Sequence, residues 1–286
     1  MQRLVFGDVA RLRAAYPNPT AFAAARRALW LPDALSGSTT AAWVRQFGFG
    51  LGNVERFIAG GLHPLELAVA PGQFEPKIVR LHLRRAGYKP HGALLQHGRD
   101  TSVDWGSAVG RLAQGSLDRV AIERGRLVAA STTALAQAEL AGKTALSANA
   151  DLRLVAHALG PVTAAAIIPR ELVPSAPAAP AAHLATHRAS FLGIGVDDGG
   201  PSRRTLRIAL AYPSAAEANL DRAPLESKLA GTALPSHAGM TFGDVLHGLT
   251  VTIDGRVLLL SARVDDPREW RQLLRRGDLA GLVASG

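Results

Sequence analysis

Residues 119–132, RVAIERGRLVAAST, and residues 249–262, LTVTIDGRVLLLSA, read alike. Each is an apolar run, a charged residue, Gly-Arg and a second apolar run. Two β-prone runs joined by so short a polar break predict a hairpin. Gly125 in one and Asp254-Gly255 in the other supply the positive φ that a tight turn needs. A helical pattern follows each: Thr132 or Thr133 caps one through Leu140, and Asp266 with Pro267 opens the other, whose buried face is Trp270, Leu273 and Leu274.

Outward from the hairpins the order repeats. Before the first lie a strand at 65–70, LELAVA, and an amphipathic helix at 76–86. Ile78, Val79, His82, Leu83 and Ala86 are expected on its apolar side. GALLQH reads as a short strand and 98–118 as a loop around Trp105. A helix in 147–160 and a buried strand in 161–169 follow. Before the second hairpin lie strands in 187–196 and 204–212 and a helix in 214–231 that Pro224 interrupts or kinks. Strand, helix, loop, hairpin, helix thus occurs at 65–159 and again at 205–286. The expected fold class is α+β: duplicated strand-helix-hairpin-helix units with antiparallel sheets, helices on one face, preceded by an N-terminal helical segment.

That segment spans residues 8–60. Asp8 caps DVARLRAAY, Thr20 caps TAFAAARRALWL, and TTAAWVRQFGF follows. NVERFIAGG is expected as a last short helix, capped by Asn53 and ended by Gly60-Gly61. The domain expectation is 1–168 for this segment plus the first half and 188–286 for the second half. Residues 169–187, with four prolines among alanines, form a linker or long loop between them.

Composition narrows function by exclusion. Apolar residues make up 48% of the 286, enough for a substantial core, while aromatics at 5% leave it to Leu, Val, Ile and Ala. There is no cysteine, which excludes disulfides, thiolate nucleophiles and cysteine-based metal sites. The net charge of +9 rests on Arg far more than Lys and favours anionic surfaces without saying which. No apolar run approaches the roughly 20 residues of a membrane span, and residues 1–17 lack the plan of a signal peptide. If Met1 is the native start, the expectation is a cytoplasmic protein.

Residues 52–90 carry a further pattern: a short helix, a strand, Gly-x-Phe-[Asp/Glu]-Pro at Gly72, Phe74, Glu75 and Pro76, then an amphipathic helix ending in Gly87-Tyr88. Together with residues 124–169 this resembles a family of uncharacterised bacterial exported proteins of lipoprotein type. The likeness is closer over 5–168 and looser over 187–286. It implies an extracytoplasmic protein, ordinarily tethered through a lipidated cysteine, and carries no catalytic residues to transfer.

The chemical motifs are weak. GFGLGN at 48–53 lacks the last glycine of a dinucleotide fingerprint and does not follow a strand. His183 and His187 have the spacing of metal ligands but lie among Pro and Ala. His82 reads as a buried histidine bonded to a carbonyl. Ser236-His237 and Asp244–His247 stand near one another without a nucleophile turn, and Asp197-Asp198 reads as a solvated turn or calcium loop. No catalytic, cofactor or metal residue is assigned. The densest basic patches are Lys77, Arg80, Arg84, Arg85 and Lys89, and Arg268, Arg271, Arg275 and Arg276. They suit an anionic membrane surface or an acidic protein; the lack of interleaved aromatics argues against nucleic acid. The expectation is a non-enzymatic binding or scaffolding module of unknown ligand. The alternatives are a hydrolase of unknown substrate and a peripheral binder of anionic surfaces.

Overall fold

The computed structural model describes residues 3–62, 64–123, 125–143, 149–174, 184–200, 202–237 and 239–283. Two compact units form, one of residues 1–10 and 31–145, the other of 11–30 and 146–286. Both mix helices with antiparallel strands, so the fold class is α+β.

The chain opens with β1 (Leu4–Asp8), α1 (Val9–Ala15) and α2 (Pro19–Ala25). Of these, β1 lies in the first unit and α2 in the second. The first unit continues with α3 (Asp33–Ser36), α4 (Ala41–Phe47), β2 (Arg56–Leu62), β3 (Leu65–Pro71) and α5 (Pro76–Arg85). Then come β4 (Lys89–His91), β5 (Leu94–Gln96), α6 (Ala108–Ala113), β6 (Arg119–Glu123), β7 (Arg126–Ala130) and α7 (Thr133–Leu140). Its strands lie in the order β1-β2-β3-β7-β6-β5-β4. The first quoted hairpin is β6–β7, with Ile122 opposite Leu127, and Gly125 takes φ 77° in the turn.

Residues 120–122 and 127–130 are buried at every position, which requires cover on both faces of the sheet. Ala136 of α7 packs with Ala121, Val128 and Ala130 on one face. On the other side α5 packs against β5 and β6, and Arg80 reaches the Ile122 carbonyl. The expectation of helices on one face is therefore corrected.

The second unit contains α8 (Ala150–Leu159), β8 (Ala164–Pro169), β9 (Phe191–Asp198), β10 (Arg204–Ala211), α9 (Ala215–Lys228), α10 (Phe242–Val245), β11 (His247–Asp254), β12 (Val257–Arg263) and α11 (Glu269–Arg276). Its strands run β8-β9-β10-β12-β11. The second quoted hairpin is β11–β12, with Gly255 at φ 57°. In each unit, then, the hairpin's second strand pairs with the strand that precedes the intervening helix: β7 with β3, and β12 with β10.

α8 seats closely on its sheet because Gly193 has no side chain; a Cβ there would lie 2.3 Å from Cγ1 of Val155. Trp270 of α11 is fully buried, donates to the Ala28 carbonyl at 3.0 Å, and stands 6.0 Å from the Trp30 ring.

Several expectations change. NVERFIAGG is strand rather than helix: Phe57 and Ala59 alternate inward, and β2 pairs with β1 on one side and β3 on the other. Asn18, not Thr20, caps α2, its side chain accepting from the amides of Thr20 and Ala21. A short helix, α6, lies within 98–118. Pro224 sits inside an unbroken α9. Asp266 forms a turn ahead of α11, accepting from the Arg268 amide, and the helix itself starts at Glu269. The helix and strand of 150–169 belong with the second unit, since β8 pairs with β9. Residues 175–183 of the Pro/Ala segment, and with them His183, lie outside the described residues.

Candidate functional site

The first basic patch is built on α5. Glu75 caps it through the Lys77 amide at 3.4 Å, Pro76 occupies the first turn, and Gly87 at φ 95° ends it. Tyr88 then pins the end by donating to the Leu117 carbonyl at 2.8 Å. Val79 and Leu83 face the core. Ile78, expected with them, is 50% exposed, and so is Leu81 at 48%. Two inward residues suffice to seat so short a helix, so the apolar pattern is wider than the face that is covered.

α4 lies beside α5. Thr40 caps it by accepting from the Trp43 amide at 3.2 Å, and Trp43 and Phe47 fill the core against Phe49. Nδ1 of His82 lies 2.8 Å from the Arg45 carbonyl oxygen and ties the helices together. The expected carbonyl bond of His82 is present, although the ring is half-buried rather than enclosed. Val44, next to Arg45, is 45% exposed. Three apolar side chains therefore stand out on two helices that pack against each other.

The charges around them are unspent. Lys77, Arg84, Arg85 and Lys89 are exposed and have no side-chain hydrogen bond or ion pair among the described residues. Arg80 differs, its Nη2 donating to Ile122 at 3.1 Å.

The second basic patch, on α11, is largely occupied with holding its own surroundings. Asp266 grips Arg268 through both carboxylate oxygens. Arg271 donates to the Leu29 carbonyl at 3.2 Å, and Arg276 to Gln272 at 2.7 Å. Arg275 is exposed without a partner among the described residues.

The clusters that hold acids and hydroxyls are knitted into the fold. Ser236 Oγ donates to Asp278 at 2.8 Å and lies 3.0 Å from Nδ1 of His237, while the Ser236 amide donates to the same carboxylate. A catalytic triad needs the histidine between hydroxyl and acid; here the serine is in the middle. Thr186, His187 and the fully buried Asp221 form a closed triangle instead: the threonine hydroxyl donates to Asp221 at 2.6 Å, and Nδ1 of His187 lies 2.9 Å from both the hydroxyl and the carboxylate. One ring nitrogen meets both groups, where a triad sets hydroxyl and acid on opposite ring nitrogens. Asp197 pairs with Arg11 at 2.8 Å, and Asp198 accepts from Tyr16 at 2.7 Å. Thr241 caps α10, and Asp244 in its first turn reaches back to accept from the Thr241 amide and hydroxyl. Among the described residues no three His, Asp or Glu side chains are grouped to hold a metal ion. GFGLGN closes α4 with Gly48 at φ 73° and turns into β2, Asn53 accepting from the Gly50 amide at 2.9 Å.

Two buried carboxyls of the first unit are unusual. Burial, with Asp33 nearby, pushes Glu66 up to about 7 against the pull of Arg3. Burial likewise pushes Asp118 up to about 7 despite the adjacent Arg119. No helix among the described residues is long and apolar enough to cross a membrane. Comparison with protein families, with curated proteins and with solved structures finds no match.

Proposed function

We propose that this chain is a non-enzymatic, extracytoplasmic binding module, and that it attaches to an anionic membrane surface through the α4–α5 face. The single observation that carries the reading is the exposure of Val44, Ile78 and Leu81 among the unspent charges of Lys77, Arg84 and Arg85. Each cation near an anionic bilayer contributes about 1 kcal/mol. Apolar side chains among them add insertion at the headgroup boundary, the mark of an interfacial helix. An acidic protein would be met by the charges alone, so the apolar side chains favour lipid. The extracytoplasmic setting is supported by the likeness of residues 52–90 and 124–169 to exported proteins. A doubled plan, one unit for the surface and one free for another task, is supported by the matching order in which the strands of each unit pair.

Vesicle flotation tests this. The protein is expected to float with phosphatidylglycerol vesicles, to stay behind with phosphatidylcholine, and to release as salt rises. K77E/R84E/R85E should abolish flotation, and I78S/L81S should weaken it at constant charge. Equal flotation with neutral vesicles, or full binding by the triple variant, overturns the reading. Salt-sensitive binding to poly-glutamate that is indifferent to I78S/L81S would make an acidic protein the partner instead.

A further inference from the structure

The geometry points to an oxyanion-binding groove on the sheet of the second unit, formed by Thr205, Ser261, Arg263, His247 and Thr250. It takes a phosphate- or sulfate-bearing group.

The groove follows from where α8 stops. α8 begins beside the hairpin turn, where Asp151 meets Arg256, and passes over Gly193 with Val155 and Leu159. It ends at Leu159, whose carbonyl accepts from Arg207 at 2.5 Å. Along β10 and β12 the register then places Arg207 opposite Ser261, and Thr205 opposite Arg263. Thr250 faces Ser261 and His247 faces Arg263 from β11. Directly opposed residues share a sheet face, so the face that α8 covers continues past its end as a row of hydroxyls and cations. A groove of ≈ 410 Å³ runs there, lined by these residues with Gly248 and Ala262.

The groove's chemistry is that of a donor set. Arg263 is exposed and has no partner among the described residues, nor do the hydroxyls of Thr205 and Ser261. Thr250 donates to the Ser261 carbonyl at 3.2 Å. Asp197, opposite Thr205, holds Arg11. Asp265 is a largely exposed carboxylate 3.4 Å from Nε2 of His247, so the His247 ring lines the groove's end and the donors are Arg263 and the hydroxyls of Thr205 and Ser261. Arg207 caps the negative end of α8, so the helix terminus does not repel an anion. An arginine with flanking hydroxyls on rigid strands suits a tetrahedral oxyanion, which accepts several charge-assisted hydrogen bonds at once.

The test is an amide chemical-shift titration of the whole chain with inorganic phosphate and with sulfate. Saturable shifts are expected at Thr250, Ser261 and Arg263, weakened by about tenfold in R263A and less in S261A. R188A, an exposed arginine ahead of β9 and at the other end of β10 from Thr205, should leave them unchanged. Flotation with phosphatidic acid vesicles separates the sources. Binding that needs Arg263 but survives K77A/R84A/R85A assigns a lipid headgroup, and binding to soluble phosphate alone assigns a free ligand. Absence of saturable shifts together with vesicle binding indifferent to R263A overturns the proposal, as does an R263A protein that titrates like the parent.

Discussion

Asp221 and Thr186 meet twice: the threonine hydroxyl lies 2.6 Å from the carboxylate, and the threonine amide lies 3.0 Å from the same oxygen. The His187 amide takes the other oxygen at 3.0 Å, and Nδ1 of the His187 ring lies 2.9 Å from the first. A fully buried carboxylate thereby fixes the chain where it leaves the Pro/Ala segment. Burial alone would raise its pKa, but these donors outweigh burial and hold Asp221 below the usual carboxylate range. A depressed carboxylate contributes stability above its unfolded pKa and loses it as pH falls through the folded value. D221N is therefore expected to cost about 3 kcal/mol at pH 7. The gap to the parent should close in acid, below about pH 4. Urea unfolding at several pH values measures both.

Glu66 works in the opposite sense. Its carboxyl is raised to about 7, so the folded state favours the proton. The stability this gives is full below the unfolded pKa and is lost as pH rises through about 7. E66Q should flatten that decline and gain on the order of 1–3 kcal/mol over the parent at pH 8. An unchanged pH profile in E66Q would contradict the assignment. Asp118, raised by the same cause, predicts the same direction for D118N.

Trp270 anchors α11 by its ring and its N–H. W270F keeps most of the volume and leaves the Ala28 carbonyl without that donor, a loss of about 1–2 kcal/mol. W270A opens a cavity and should cost about 3–5 kcal/mol. Chemical denaturation of the two variants separates the terms.

Two glycines divide backbone strain from crowding. Gly125 has open space where a Cβ would stand, so G125A pays only for its positive φ, about 1 kcal/mol. Gly193 has no such room, and G193A must push α8 away from β9 at a cost of about 1–3 kcal/mol. Thermal melts should rank G193A below G125A.

The hairpins were legible because their signals are local: apolar runs, a glycine at the turn, a capping threonine that accepts from the Leu135 amide. β2 was not, because Asn53 and Gly60-Gly61 are as good at framing a helix. Only its pairing with two neighbouring strands, invisible in one segment, makes the alternation of Phe57 and Ala59 decisive. The basic residues of α5 could be read from the sequence. The exposure of Ile78 and Leu81 could not, since it depends on how much of the helix its neighbours cover. The groove had no local signal, because its residues come from three strands brought into register.

The pairing of β7 with β3 and of β12 with β10 also sets an order of events during synthesis. β3 is made early, yet the strand that will flank it emerges only after residues 72–125. Until then its outer edge is open to pairing with other chains, a hazard while the ribosome is still at work. Lengthening the stretch between them would prolong that interval and raise aggregation yields without changing any contact of the finished protein.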